Sequence, residues 1–297
     1  MSVARRHFSL PAGKFKLALG SRTLVMGIIN LTRDSFSQDG LFKSGLKRSL
    51  VIDRALRLAR KMVNDGADII DIGAESTRPG ARPVSVKEEL ARIVPVVKRI
   101  SASLKIPVSV DTYKSEVAEA ALDSGAVIIN NIMGANPDYN KRIAKICAKK
   151  AASLVLMHIR GTPNDMQRFT KYRSLIPDII RYLKKAIECA QEAGLGFKRL
   201  IIDPGIGFAK TTQQNLEILN CLGEFRVLKR PILIGTSRKS FIGKVLDVAE
   251  TERIFGTAAS VALAISAGAH IVRVHDVREM AQVARLSDSI LNSKILN

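Results

Sequence analysis

The sequence has no tryptophan, and only 5% of its residues are aromatic. It has three cysteines, Cys147, Cys189 and Cys221, which are widely spaced and lie in segments with a helical pattern. This spacing suits neither a disulfide framework nor a metal site, so we predict that all three are small core residues.

Long apolar runs are missing as well. The longest ones, such as residues 153–157 and 261–265, are far shorter than the roughly 20 residues that cross a bilayer. The N-terminal segment MSVARRHFSL also lacks the apolar stretch of a signal peptide. We therefore predict no membrane association and a cytoplasmic location.

Acidic residues are scarce, because 27 Asp and Glu stand against 47 Lys and Arg and leave a formal charge of +20. Such a charge would suit a polyanion such as nucleic acid. However, the basic residues are spread as pairs, for example Lys149-Lys150 and Lys184-Lys185, without a dense block or interleaved aromatic residues. We therefore favour a basic surface with no nucleic acid partner. A basic mouth that attracts an anionic substrate would use the same field.

What the sequence does contain is a regular alternation of apolar strand-like and helix-like segments. The strand candidates are residues 24–29, 68–72, 108–111, 127–131, 154–157, 200–203, 232–235 and 270–274. The helix candidates are residues 46–64, 86–103, 115–124, 137–150, 174–193, 213–222, 253–267 and 277–291. Strands that are each followed by a helix need parallel pairing and right-handed crossovers. The pattern predicts α/β architecture, a single (β/α)8 TIM barrel over residues 23–297.

Glycines mark the ends of the predicted helices. Gly66, Gly125, Gly194 and Gly268 each follow a helical pattern and precede a strand. Residues 1–22 are basic, contain glycine and proline and alternate weakly, so we predict a short N-terminal cap or hairpin there. A doubly wound open sheet is the main rival, but its glycine-rich turn would follow the first strand, whereas polar residues follow nearly every strand here.

The segment ADIIDIGAESTRPGARP, residues 67–83, changes character abruptly at the end of a strand. Branched apolar residues give way to an acid, two hydroxyls and an arginine between glycines and prolines, which is typical of a ligand-facing loop. The carboxyl ends of barrel strands converge on one mouth. We therefore expect a site from the polar residues at these ends, which are Asn30, residues 75–79, Asp111, Asn130, Met157, His158, Asp203, Lys239, Arg273 and His275.

The residue types at these ends indicate the kind of ligand. Asp111, Asn130 and Asp203 would project into a cup of low dielectric constant, where they require a ligand rich in N–H donors. Lys239 would add donors to the cup or pair with one of the acids. Arg273 and His275 end the last strand, where barrels commonly hold phosphate. A heteroaromatic group that carries phosphate towards the rim would meet both demands.

Eight motifs follow in order over residues 23–290, namely MGIINLTRDSFSQDG, DIGAESTRPGA, VSVDTYKSEVA, INNIMG, VLMHIRGTP, DPGIGFAKT, GTSRKSFIG and RVHDV. Together they resemble the motifs of the dihydropteroate synthases, folate-pathway enzymes of the pterin-binding family. The resemblance implies a (β/α)8 barrel that condenses 4-aminobenzoate with 6-hydroxymethyl-7,8-dihydropterin diphosphate and releases dihydropteroate and diphosphate. It also implies Mg²⁺ as the cofactor and a homodimer.

The resemblance implies a role for each residue of the site that matches a position of the family motifs. The pterin would be held by Asp111, Asn130, Met157, Asp203 and Lys239. The diphosphate would be held by Asn30, Thr77, Arg273 and His275, with the metal at Asn30. The aminobenzoate pocket would be formed by Thr77, Arg78, Pro79 and Ser240. Catalysis would depend on Asp34, Lys239 and Arg273.

Some positions depart from the pattern of this family. They are Arg33 in place of proline, Gln38 near a usual acid, Ala74 and Ala209 in place of glycine, and Asn131 in place of Asp. These departures leave open a non-catalytic or weakly active pterin-binding paralogue. A methyl transferase acting on methyltetrahydrofolate is a further alternative, although it would have no use for a diphosphate clamp.

Overall fold

The computed structural model describes residues 5–32, 48–78, 80–134 and 136–293. Its N-terminal strands are β1 (Phe8–Ala12) and β2 (Phe15–Leu19), which pair antiparallel. The remaining strands are β3 (Leu24–Asn30), β4 (Ile69–Gly73), β5 (Val108–Asp111), β6 (Ile128–Asn131), β7 (Ser153–Met157), β8 (Leu200–Asp203), β9 (Leu233–Ile234) and β10 (Ile271–Val274).

In the described part of the chain, the strands from β3 onward form one parallel sheet of eight, in the order β8-β7-β6-β5-β4-β3-β10-β9. A parallel bridge between Ile202 and Ile232 joins β8 to the residue before β9, so the two ends of the sheet meet. This closure confirms the predicted (β/α)8 barrel and excludes the open sheet. The N-terminal hairpin is confirmed too, while the division of the chain at residue 22 stays a prediction.

The helices lie between the strands, close to the predicted positions. They are α1 (Arg48–Asn64), α2 (Val86–Ser103), α3 (Ser115–Asp123), α4 (Pro137–Lys149), α5 (Leu175–Glu192), α6 (Thr212–Asn220), α7 (Ser240–Leu246), α8 (Ile254–Ser266) and α9 (Val277–Asn292). The glycines expected at helix ends adopt positive φ, for instance 106° at Gly66 and 108° at Gly125. Helix α7 was not predicted, because seven residues with two buried side chains, Phe241 and Ile242, show too little periodicity.

The hairpin closes the amino-terminal end of the barrel. Leu10, Ala12 and Leu19 are buried against apolar side chains inside the barrel, such as Met26 and Ile128. The hairpin is fastened to the barrel by hydrogen bonds, because the hydroxyl of Ser153 donates to the carbonyl of Pro11 (2.6 Å). The amino-terminal half of the barrel is therefore a sealed apolar core, and the opposite end is left for a site.

The cysteines lie apart in the structure, as the sequence indicates. Cys147 is buried in the core between the sheet and the helices, whereas Cys189 and Cys221 are half-buried, so the prediction of core residues is confirmed only for Cys147. Burial raises the pKa of the Cys147 thiol to about 12, which keeps it protonated and unreactive. Over the described ranges, no helix combines the length and the hydropathy needed to cross a membrane.

Candidate active site

The strand register places the polar strand ends on the inner face of the barrel. Asp111 on β5 lies opposite Gly73 on β4 and Asn130 on β6, and Met157 on β7 lies opposite Asp203 on β8. Residues two positions earlier on these strands, such as Ile128, belong to the apolar core of the barrel. Because side chains alternate along a strand, the polar ends share the inner face with that core.

A cavity of about 380 Å³ opens at this end of the barrel. The structure brings together around it eight of the residues predicted from the sequence, which are Asn30, Thr77, Arg78, Asp111, Lys239, Ser240, Arg273 and His275. They come from β3, β5 and β10, from the loops after β4, β9 and β10, and from the first residue of α7. The convergence of the strand ends on one mouth is therefore a feature of the fold.

Arg273 is held between two carboxylates inside this mouth. Its Nη2 donates to Asp111 (2.9 Å), and its Nε donates to Asp71 (2.6 Å). Burial raises the pKa of Asp111, although the Arg273 guanidinium opposes the rise. The two carboxylates in turn raise the pKa of Arg273, against the effect of burial, so the guanidinium stays charged.

Asn130, Met157 and Asp203 lie deeper than the lining of the cavity, and each is nearly inaccessible to solvent. The Asn130 amide donates to Asp71 (3.2 Å), and Asp203 accepts from the backbone N–H of Gly205 (2.7 Å). Burial raises the pKa of Asp203 to about 6, while the Gly205 N–H and Lys239 lower it. The floor of the site therefore carries carboxylates that a ligand with N–H donors would stabilise.

Met157 contributes an apolar side to this floor. It belongs to a buried cluster that includes Met133, Met166 and Phe208. The Lys239 ammonium lies 4.2 Å from the centroid of the Phe208 ring, which suits a cation–π contact. The cluster and the ammonium together border a place where a flat ring could pack.

Lys239 is positioned by the loop that follows β8. A Cβ atom at Gly207 would come within 3.1 Å of the Lys239 Cδ, so the close approach of backbone and side chain depends on glycine. Burial and, to a smaller extent, the nearby Arg273 lower the pKa of Lys239 to about 8, although Asp203 and Asp111 oppose this change. The ammonium is still mostly protonated at neutral pH.

The loop after β4 is anchored at its base by ionic contacts. Glu75 accepts from the Tyr113 hydroxyl (2.8 Å), from Lys114 (2.5 Å) and from the backbone N–H of Val84 (2.8 Å). Further along, the Arg78 guanidinium lies 2.6 Å from Glu250. These contacts hold the loop at the mouth. The predicted residues Pro79 and Asp34 lie outside the described residues, as do Arg33 and Gln38.

The two histidines of the predicted set have different surroundings. The His275 ring borders the cavity, with Nδ1 3.0 Å from the Ser237 hydroxyl, and burial lowers its pKa to about 3, helped by Arg273 and Arg238. His158 does not line the cavity, and its Nδ1 lies 3.0 Å from the Lys210 ammonium beside the Tyr182 ring. The expectation that His158 belongs to the site was wrong, because alternation turns it to the opposite side from Met157.

Sequence reasoning missed Asp71, which is fully buried in β4 and contacts both Arg273 and Asn130. The sequence did indicate a special role for this residue. A lone acid between isoleucines in the strand IIDIG has no partner within its own segment and needs one from elsewhere in the fold. Ser237 was also missed, although it lies in the motif GTSRKSFIG beside His275.

Three of the departures from the family pattern lie within the described residues. Ala209 adopts a φ of 52°, a left-handed conformation that favours the glycine expected from the family pattern. Ala74 is buried, and its carbonyl accepts from Arg92. Asn131 is buried, and its side-chain oxygen accepts from the Met133 N–H (2.9 Å), a bond that an Asp would also make.

Comparison with known proteins agrees with this geometry. Residues 26–275 match the family model of the pterin-binding enzymes. A dihydropteroate synthase of Bacillus subtilis is 48% identical over 93% of this chain and 91% of its own length. The structure of a Yersinia pestis dihydropteroate synthase with a sulfonamide drug complex superposes with a TM-score of 0.88 at 38% identity, over 97% of this chain and 100% of that one.

A dihydropteroate synthase of Xanthomonas albilineans, solved with 4-aminobenzoic acid, superposes with a TM-score of 0.85 at 34% identity, covering 97% of this chain and 100% of that one. The agreement therefore extends over nearly the whole barrel, in sequence and in structure. The chain belongs to the pterin-binding enzyme family, among its dihydropteroate synthases.

Proposed function

We propose that this barrel condenses 4-aminobenzoate with 6-hydroxymethyl-7,8-dihydropterin diphosphate, the reaction of its family. The amine nitrogen forms a bond to the pterin methylene carbon, the carbon–oxygen bond to diphosphate breaks, and one amine proton is lost. The observation that carries the proposal is the meeting of acids at the floor of one cavity with Lys239 and Arg273 above them.

The floor suits the pterin. Asp111 and Asp203 accept hydrogen bonds from ring N–H groups, and Met157 packs against the face of the ring. Bond breaking leaves positive charge on the methylene carbon, and nearby carboxylates stabilise that charge. The acids are enclosed, with the Asp111 side chain 12% exposed, so their effect is little weakened by water.

The rim suits the diphosphate. Arg273, whose side chain is 20% exposed, reaches the cavity together with Asn30, Thr77 and His275. A fixed cation stabilises the negative charge that grows on the departing diphosphate. The negative charge of a diphosphate beside His275 also favours the protonated imidazole. Binding of the diphosphate therefore raises the pKa of His275 again.

The residues present fit Mg²⁺ as a cofactor. Around diphosphate, Mg²⁺ keeps several waters and takes few protein ligands. Within the described ranges, no group of three or more acids, histidines or cysteines could hold a metal by itself. Asn30 offers an amide oxygen at the cavity beside Arg273. When bound with the diphosphate there, Mg²⁺ neutralises part of its charge.

The loop after β4 and the start of α7 suit 4-aminobenzoate. Thr77, Arg78 and Ser240 line the cavity, and we assign Pro79 and Asp34 to the same side from the resemblance alone. Arg78 is paired with Glu250 here, and the carboxylate of the substrate would compete for it. Since an aryl amine is already a usable nucleophile, the site needs no catalytic triad.

The proposed reaction is tested by incubating the purified chain with both substrates and Mg²⁺ and following dihydropteroate by chromatography. We expect turnover that depends on both substrates. Arg273→Ala should weaken the binding of the diphosphate substrate much more than the binding of bare hydroxymethylpterin. Arg22→Ala, which removes an arginine paired with Asp68 outside the cavity, is the matched control. Absence of product with the unchanged chain would overturn the proposal.

We also assign the chain to a homodimer in the cytoplasm, with no nucleic acid partner. A groove of about 590 Å³ between α6, α7 and α8 is lined by apolar residues such as Leu216 and Leu246. Leu263 (65% exposed) on α8 also lines the groove, and Phe255 (82% exposed) lies on the same helix. A second copy of the chain would cover this apolar surface.

The dimer is tested by light scattering of the chain after gel filtration. Phe255→Glu should shift a dimer to the mass of the monomer, because it places a charge in the apolar interface. Leu286→Glu on α9, at a position that is 65% exposed, is the control and should leave the mass unchanged. A monomeric unchanged chain would contradict the assignment.

A further inference from the structure

Asp71 lies at the centre of the site without lining its cavity. It is fully buried in β4, where it pairs in register with Ile28 on β3 and Ser109 on β5. It therefore sits one level below Asp111 on the inner face of the barrel. An acid at this depth acts on a ligand through other side chains.

The contacts of Asp71 connect two parts of the site. Its Oδ2 accepts both from Nε of Arg273 (2.6 Å) and from Nδ2 of Asn130 (3.2 Å). Arg273 belongs to the proposed diphosphate clamp, and Asn130 belongs to the proposed pterin floor. One carboxylate oxygen thus bonds to a residue of each part.

The bond to Asn130 fixes which way its amide faces. An amide group can turn by half a rotation with little change of shape, and it then presents either a donor or an acceptor. An ionised carboxylate only accepts, so the atom of Asn130 that faces Asp71 must be the NH₂ group. The carbonyl oxygen of Asn130 is thereby turned away from Asp71, as an acceptor.

The bond to Arg273 fixes the plane of the guanidinium. Two of its five N–H donors are held, Nε by Asp71 and Nη2 by Asp111. A planar group held at two points cannot rotate about its last bonds, so its other donors keep one direction. A cation fixed before the substrate binds stabilises a developing anion without reorganisation.

We propose that Asp71 is a positioning residue that makes Asn130 an acceptor for the pterin and orients Arg273 for the diphosphate. The inference rests on the proposed function. It predicts that the site selects a ring with an N–H donor opposite Asn130. A counter-ion that only neutralised Arg273 would require no particular orientation of Asn130.

An exchange of the two side chains separates these roles. Asn130→Asp alone places two carboxylates in contact, whereas Asp71→Asn alone removes the charge that fixes the amide. In the double variant, the new amide at position 71 can turn its NH₂ group to the place of Oδ2 and donate to the new carboxylate at position 130, but Arg273 then loses its acceptor at position 71. The hydrogen bond between positions 71 and 130 and the net charge are then restored, while the bond from Arg273 is not, and the side chain at position 130 still presents an acceptor to the ligand.

The readouts are the calorimetric affinity for bare 6-hydroxymethyl-7,8-dihydropterin and the KM of each substrate. We expect Asp71→Asn to weaken pterin binding about 10-fold and Asn130→Asp about 100-fold, in line with the cost of disturbing buried charged bonds. The double variant should bind at least about 10-fold more tightly than Asn130→Asp. The KM for 4-aminobenzoate should change less than about 3-fold in Asp71→Asn, because that pocket does not contact Asp71.

Asp68→Asn is the matched control, because Asp68 lies just before the same strand and pairs with Arg22 outside the cavity. It should leave both KM values unchanged, and thermal unfolding checks that every variant folds. A double variant that binds no better than Asn130→Asp would overturn the positioning role, even if the unchanged chain makes dihydropteroate. A chain that binds hydroxymethylpterin with the expected rescue but makes no dihydropteroate would instead overturn the proposed function alone.

Discussion

The two halves of the barrel interior are built from the same strands but differ in what they contain. The lower half holds apolar side chains such as Ile128, Ile201 and Ile271, sealed by the hairpin. Two residues further along the same strands, the upper half holds Asn130, Asp203 and Arg273 (β6, β8 and β10). A step of about 6.6 Å along a strand therefore separates a core from a site.

The two halves also differ in their contribution to stability. Burial of the lower side chains stabilises the fold by roughly 25 cal/mol for each Å² of apolar surface removed from water. In the upper half, burial raises the pKa of Asp203 to about 6, so the charged form is less stable there than in water. The buried carboxylate of the upper half therefore lowers the stability of the fold, while it supplies an acceptor for a ligand. Five experiments test this contrast and the structure behind it.

The largest effect should come from Asp203→Ala. We expect the affinity for the pterin to fall roughly 1,000-fold, or about 4 kcal/mol, because the ring donors lose a buried carboxylate. The free energy of unfolding of the unliganded chain should stay the same or rise. Calorimetry and denaturant unfolding measure the two quantities, and a near-normal affinity would contradict the assignment of Asp203 to the pterin.

Leu10→Ala in the hairpin should have the opposite effect, because it should lower stability and leave substrate binding almost unchanged. It removes methyl groups from a fully buried side chain and should lower the free energy of unfolding by about 3 kcal/mol. The KM values should change by less than about twofold, because the cavity is at the other end of the barrel. Leu286→Ala at an exposed position is the control, and it should change stability by less than about 0.5 kcal/mol.

A change of pH should affect ligand binding and stability in opposite directions. The affinity for the pterin should fall by up to about tenfold per pH unit as the pH drops below the pKa of Asp203, because the protonated carboxyl is a poorer acceptor. Calorimetry between pH 5 and 8 measures the loss, and an affinity that is constant over this range would contradict it.

The stability of the unliganded chain should respond in the other direction. The folded state holds the Asp203 proton up to a pKa of about 6, against 3.8 for the free side chain, so it binds more protons than the unfolded state between these values. The contribution of this carboxyl to the free energy of unfolding therefore decreases as the pH rises through this window. Asp203→Asn should remove this contribution, and an unchanged pH slope of stability in that variant would argue against it.

The smallest effect should come from Ala209→Gly. Ala209 has a φ of 52°, which glycine adopts without steric strain, so we expect stabilisation by about 0.5–1 kcal/mol. Ala74→Gly is the matched control, because Ala74 is another departure from a glycine of the family pattern, but it does not have positive φ. That change should destabilise the chain by about 0.5–1 kcal/mol, owing to added backbone freedom. Equal shifts in both variants would show that φ is not the cause.

Most of the fold could be predicted because each strand and long helix carries its own periodicity. The strand after Gly66 and the helix before it, for example, are visible in residues that are neighbours in sequence. Helix α7 was not predicted because seven residues make only about two turns. His158 was misassigned because adjacent strand residues face opposite sides, and the phase of alternation is set by the barrel and not by one strand.

The order of strands and helices and the chemical character of the strand ends follow from the sequence alone, because these depend on short-range patterns of apolar and polar residues. The bonds of Asp71 to Arg273, 202 residues away, and to Asn130 are visible only in the folded barrel. Such contacts depend on barrel closure and strand register, which bring distant residues within hydrogen-bonding distance. No pattern among residues that are neighbours in sequence indicates which distant residues come into contact.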